Sequence, residues 1–176
     1  MAHVRDIYVR RQPGSNPSAG ILTFEGRSFE CRLGRSGIVA IKREGDGATP
    51  KGEFRILYGY FRKDRITRPE TSLIMQEIRP NMGWCDASND PNYNRPVRLP
   101  FASSHEKMMR GDRLYDVCLV LDYNIEPVQK HRGSAIFFHQ TQEDLRPTEG
   151  CIAVNPQAMR RLLPLISSET VVHVHL

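Results

Sequence analysis

Apolar and polar residues alternate along much of this chain with a period of two, the pattern of half-buried β-strands. Short alternating runs at 6–11, 21–24, 28–32, 37–41 and 53–60 predict strands, punctuated by Gly14, Pro17, Gly20 and the turn Glu25-Gly26-Arg27. Residues 115–123 and 134–139 are more continuously apolar and predict buried strands; 152–154 predicts a brief one and 170–175 an alternating strand that closes the chain. Helical spacing is rarer. Met159, Leu162, Leu163 and Ile166 recur at it behind Asn155-Pro156, an N-cap followed by proline at the first helical position. An amphipathic helix is therefore predicted over 157–166, its last turn weakened by Pro164. Ser103 and Glu106 have the spacing of a capping box and predict a second, short helix ending near Gly111.

Residues 79–100 break both periods. Pro80, Pro91, Pro96 and Pro100, with Asn81, Asn89, Asn92 and Asn94, predict a long irregular loop. It holds the only tryptophan, Trp84, and also Tyr93, which argues for order and for a place beside a site. The expectation is a β-rich fold with two or three short α-helices, forming one domain over 1–176.

Composition narrows the function. Of 176 residues, 39% are hydrophobic and 26% charged, an ordinary globular balance with no repeat or low-complexity segment. The net charge of +5 favours an anionic partner without naming one. Its densest basic stretch, Arg62, Lys63, Arg65 and Arg68, is not interleaved with aromatic residues as a stacking platform for single strands is, so no nucleic-acid partner is expected. No run approaches the length of a membrane span, and the first residues hold no apolar leader core. As written the chain is expected in the cytoplasm, or in the periplasm if a leader has been removed. Cys31, Cys85, Cys118 and Cys151 are too widely spaced for a zinc knuckle, and His173 with His175 on one strand face reads as a solvated edge, so no metal or cofactor is expected.

Two segments carry candidate chemistry. Residues 135–141 are an apolar strand that delivers His139 at its polar end; residues 147–153 place Cys151 directly after Gly150, at the end of a turn. Neighbouring strands joined by the intervening loop bring an imidazole and a thiol within reach. A free thiol is mostly protonated at neutral pH, and an adjacent base converts it to the reactive thiolate. Glycine at 150 lets the backbone approach a substrate and turn an amide towards a developing oxyanion. Spacing alone leaves a buried structural cysteine and a satisfied histidine as the alternative.

His139 followed by Thr148-Glu149-Gly150-Cys151 resembles the signature of the YkuD-type L,D-transpeptidase catalytic domain, and Thr49-Pro50-Lys51-Gly52 resembles that family's Thr-Pro-x-Gly turn. The resemblance runs from about Cys31 to Val172. It implies a β sandwich or open barrel and a cysteine acyl-enzyme, with peptidoglycan stem peptides or soluble muropeptides as partners. Cys151 is then the nucleophile, His139 the base, and the Gln140 carbonyl the group that orients the imidazole. Amides of Gly150 and Cys151 form the oxyanion hole, and Thr148 braces the turn. The chain departs from the family pattern at Ala153, where many members carry arginine, and at Glu149, where many carry histidine. Arg95 or Arg146 is the candidate replacement for that arginine. Trp84, Asp86, Tyr93, Asn94, Arg95 and Glu149 are the candidate substrate contacts: Asp86 for an ammonium, Arg95 for a carboxylate, Trp84 for an apolar wall. The alternative for the loop is that Trp84 and Tyr93 pack it onto the sheet while its other residues face water. Transfer to an amine makes the enzyme an L,D-transpeptidase, and transfer to water an L,D-carboxypeptidase of murein recycling. A non-catalytic murein-peptide binding module and a cysteine hydrolase of another amide are the alternatives.

Overall fold

In the computed structural model, which describes residues 4–142 and 144–176, fourteen strands and one α-helix follow one another along the chain. The strands are β1 (Asp6–Arg11), β2 (Ala19–Phe24), β3 (Arg27–Arg32), β4 (Ile38–Val39), β5 (Thr49–Pro50), β6 (Gly52–Phe61) and β7 (Met75–Glu77). They continue with β8 (Met82–Cys85), β9 (Pro96–Arg98), β10 (His105–Lys107), β11 (Val117–Leu121), β12 (Phe137–Gln140), β13 (Ile152–Val154) and β14 (Val171–His175). Helix α1 (Pro156–Leu162) precedes β14.

Nine strands form one sheet in the order β11-β12-β13-β3-β2-β1-β14-β6-β7. The ten-residue β6 pairs with β14 through residues 52–55 and with β11 through 56–61, so the sheet closes on itself into a barrel-like ring. Closure buries both faces of β11, and the side-chain period of two divides them. Val117, Leu119 and Leu121 enter the barrel interior, where Ile7, Leu22, Ile56, Phe138, Ile152 and Val172 meet them. Met159 and Leu162 of α1 join the same core. Cys118 and Val120 point the other way, into a second cluster with Tyr60, Trp84, Met108, Tyr115, Phe137 and Cys151. That outer cluster is roofed by a three-stranded sheet in the order β10-β8-β9.

Asn155 caps α1 as its sequence predicts, its Oδ1 accepting from Ala158 N–H at 2.7 Å. Pro164 ends the regular helix, and Leu163–Leu165 tightens to a 3-10 turn. Two expectations are corrected. The helix expected from Ser103 is strand β10, paired so that His105 lies opposite Cys85 and Glu106 opposite Trp84. Ser103 and Glu106 have better partners than each other: the serine hydroxyl donates to Asp90 Oδ2 at 2.6 Å and Glu106 accepts from the Tyr115 hydroxyl at 2.5 Å. Among the described residues there is therefore one α-helix. Within 79–100, expected to be irregular, β8 and β9 pair antiparallel; Pro96 opens the edge strand β9, where a missing N–H is tolerated.

Candidate active site

Strands β12 and β13 are parallel neighbours, with Phe138 opposite Ile152 and His139 opposite Ala153. Extending that register by one residue sets Phe137 beside Cys151, and Phe137 N–H donates to Cys151 Sγ at 3.4 Å. Cys151 and His139 thus share the outer face of the sheet, one diagonal apart. Both line one cavity of about 510 Å³, together with Asp86, Glu106, Arg110, Tyr115, Thr148 and Glu149.

The imidazole is fixed by a backbone acceptor. His139 Nδ1 lies 2.8 Å from the Gln140 carbonyl oxygen, which only accepts, so Nδ1 carries the proton and Nε2 offers its lone pair. The Tyr115 ring meets the imidazole edge-on at 5.3 Å. Burial pushes the imidazolium pKa down to about 4, assisted by the Arg110 charge and opposed by the Gln140 carbonyl. His139 is a neutral base in this site.

The thiol is not bonded to it. Cys151 Sγ donates instead to the Ala135 carbonyl at 3.2 Å. Burial pushes the thiol up to about 12, the Glu106 carboxylate adds to that rise, and Phe137 N–H, Lys42 and Arg110 pull against it. At rest the pair is therefore thiol and imidazole rather than thiolate and imidazolium, which corrects the expectation of a sulfur already ionised by its neighbour.

The turn that leads into Cys151 is tightly built. Gly150 has φ +142°, and a Cβ there would meet the Ala48 carbonyl oxygen at 2.8 Å, so only glycine fits. Thr148 Oγ1 donates to the Cys151 carbonyl at 2.7 Å and accepts the Gly150 N–H at 3.1 Å. The expected oxyanion hole is corrected accordingly. The Gly150 amide is already spent on Thr148, which leaves Cys151 N–H as the amide of that pair free of the brace. Thr49 of the Thr-Pro-Lys-Gly turn supports the arrangement from behind, its hydroxyl accepting the Gly34 N–H at 2.8 Å while Gly34 bridges Thr148.

The proposed substrate contacts divide. Asp86 and Glu149 line the cavity. Asp86 Oδ1 is buried with no hydrogen-bond partner among the described residues, an acceptor waiting for a donor. Glu149 pairs with Arg35, so the charge that bears on the thiol comes from Glu106. Trp84, Tyr93 and Asn94 do not reach the cavity: each is only 1% exposed. Trp84 Nε1 donates to Asn94 Oδ1 at 2.9 Å, and the Tyr93 hydroxyl donates to Glu44. They are framework, because an apolar ring or amide with its polar atoms satisfied inside gains nothing by facing water. Arg95 turns away to Glu126, 3.2 Å distant, and does not line the cavity. Arg146 lines it while paired with Asp144.

Glu106, expected to complete a capping box, instead lines the cavity from β10. Two further residues near the thiol escaped the sequence reading. Arg110, which donates to Glu106 at 3.2 Å and clasps Asp112, sits in a polar run without pattern. Lys42, 4% exposed and held by Asp46 at 2.5 Å, continues an apolar stretch, and a buried lysine there was the available signal. The cavity wall carries Glu44, Asp86, Glu106, Asp112 and Glu149 against Arg110 and Arg146, so the positive net charge of the chain lies elsewhere.

A family model for YkuD, the L,D-transpeptidase catalytic domain, matches residues 20–174. Among solved structures, an L,D-transpeptidase from Mycobacterium smegmatis is similar at 13% identity with a TM-score of 0.46, over 99% of this chain and 59% of that one. L,D-transpeptidase 3 from Mycobacterium tuberculosis is similar at 9% identity with a TM-score of 0.46, over 98% of this chain and 62% of that one. This chain thus spans about three-fifths of the length of either. No curated protein matches the sequence.

Proposed function

The chain belongs to the YkuD family of L,D-transpeptidase catalytic domains, and from that premise we propose that Cys151 carries acyl transfer on peptidoglycan stem tetrapeptides. The observation that carries this reading is the shared face of Cys151 and His139 in one cavity, with Nε2 as the unprotonated ring nitrogen.

The steps follow from the two neutral groups. As the donor peptide enters, His139 Nε2 takes the thiol proton while sulfur bonds to the carbonyl carbon on the L-centre of diaminopimelate. Cys151 N–H faces the oxyanion. Collapse breaks the C–N bond to D-alanine, whose amine leaves with the proton held on His139. An amine of a second stem, or water, then attacks the thioester and returns the proton to sulfur through the same imidazole. Gln140 holds the tautomer throughout, and Thr148 keeps the turn from shifting.

The acceptor decides between transpeptidase and carboxypeptidase. Asp86, with an unpartnered buried oxygen, and Glu106 supply carboxylate on the cavity wall, which favours an ammonium-bearing peptide. We therefore place amine transfer first. Incubation with tetrapeptide and dimeric muropeptides, followed by mass analysis, tests both. A cross-linked product of higher mass is expected. Loss of D-alanine alone makes the protein a carboxypeptidase, and no change in any muropeptide refutes the assignment.

A further inference from the structure

Residues 133–135 lead into β12, and each is held by a different side chain. Gly133 N–H donates to the Tyr93 hydroxyl at 3.0 Å, the Ser134 hydroxyl to Glu44 at 2.7 Å, and Ala135 N–H to Asn94 Oδ1 at 3.0 Å. Ala135 has φ +51°, a left-handed conformation that a residue with a Cβ keeps only when its surroundings impose it. In that conformation its carbonyl oxygen accepts the Cys151 thiol at 3.2 Å.

Asn94 is suited to impose it. Its side chain is buried and every hydrogen-bonding position is used. Oδ1 accepts from Trp84 Nε1 and Ala135 N–H, while Nδ2 donates to the carbonyls of Asn124 at 2.7 Å and Tyr123 at 3.2 Å. The partners fix which way the amide faces, since two N–H groups require its oxygen and two carbonyls require its nitrogen. An aspartate would set an acceptor against those carbonyls, so the site specifies an amide.

We propose that Asn94 is a positioning residue for the nucleophile: its side-chain amide clamps the Ala135 peptide so that the Ala135 carbonyl holds the Cys151 thiol in its resting place. This rests on the reading of Cys151 as the nucleophile. A carbonyl oxygen accepts from S–H and has only its negative end to offer a thiolate, so the clamp favours the protonated sulfur and sets the point from which it is handed to His139. The other charged or titratable groups around the thiol are His139 on β12, Glu106 on β10, Arg110 in the loop beyond it, Tyr115 just ahead of β11, Cys118 on β11, and Lys42 behind Gly150. Substitution at 94 or 135 alters none of them directly.

The test is iodoacetamide labelling of the full chain, mapped residue by residue, with buried Cys118 on the next strand but one as the internal reference. Asn94→Ala is expected to raise the labelling ratio of Cys151 to Cys118 about tenfold at pH 7, the effect of lowering a thiol pKa by one unit. Turnover should fall at the same time, because the sulfur is freer but misplaced. Ala135→Gly accepts φ +51° without strain and removes no hydrogen bond, so it folds; loosening the carbonyl is expected to raise the same ratio about threefold. General loosening of the fold speeds both cysteines and leaves the ratio unchanged. An unchanged ratio in Asn94→Ala overturns the proposal, and if that variant does not fold, an unchanged ratio in Ala135→Gly overturns it. Failure of the nucleophile reading shows separately, as full turnover by Cys151→Ala.

Discussion

A resting thiol bonded to a carbonyl, beside a neutral imidazole, predicts an unusual labelling profile for a cysteine proposed as a nucleophile. With burial and Glu106 pushing Cys151 up to about 12, the thiolate at pH 7 amounts to roughly one part in 10⁵, against about 3% for a free cysteine. Alkylation of resting Cys151 at pH 7 should therefore run about 10³-fold slower than that of a free thiol. It should rise about tenfold per pH unit up to pH 10, with no plateau. His139→Gln preserves most of the volume and removes a base to which the resting sulfur is not hydrogen-bonded, so labelling at pH 7 should change by no more than about twofold. Turnover should nevertheless fall 10²- to 10⁴-fold, roughly the usual contribution of a general base. The assay is stopped-time alkylation with peptide mapping, run beside muropeptide turnover on the same samples. A labelling curve that levels off near pH 7 and collapses in His139→Gln would refute the reasoning, because it would reveal a thiolate–imidazolium pair already formed at rest.

Acid stability depends on the same histidine: the unfolded imidazole takes its proton near 6.5 and the folded one near 4. Stability is then whole well above pH 6.5 and falls by about 3 kcal/mol as the pH drops to 4; urea melts at pH 7 and 4 should show that loss in the wild type and not in His139→Gln. Gly150→Ala meets both the left-handed φ and the Ala48 carbonyl, and should cost about 3 kcal/mol in urea melts and abolish turnover. Thr148→Val strands the Gly150 N–H and the Cys151 carbonyl and should cost about 2–4 kcal/mol by the same melts, whereas Thr148→Ser should recover most of it.

The strands were legible because burial in this fold follows the period of two. Phe138 enters the barrel and Phe137 the outer cluster, so both faces of β12 are buried, as the continuous apolar run at 134–139 implies. The turn at 148–151 was legible for a related reason, since Thr148, Gly150 and Cys151 act on one another within four residues. What the sequence hid depends on partners that no periodic pattern pairs. Ser103 and Glu106 satisfy the local rule for a helix start, yet Asp90, Arg110 and Tyr115 hold them in a strand that roofs the site. Asn94 looked like a loop residue facing substrate; its four partners come from Trp84, Ala135, Tyr123 and Asn124, a convergence no local window displays. The protonation states were equally out of reach, because they come from burial beneath β10 and from Glu106.

The central claim is that the sulfur of Cys151 becomes the acyl carrier. Its most direct measurement is rapid acid quenching of the protein with a tetrapeptide stem, followed by mass mapping of the digested chain. The expected result is an adduct equal to the tetrapeptide less D-alanine, on the peptide containing Cys151 and absent from Cys151→Ala. An adduct on another residue, or undiminished turnover by Cys151→Ala, would contradict it.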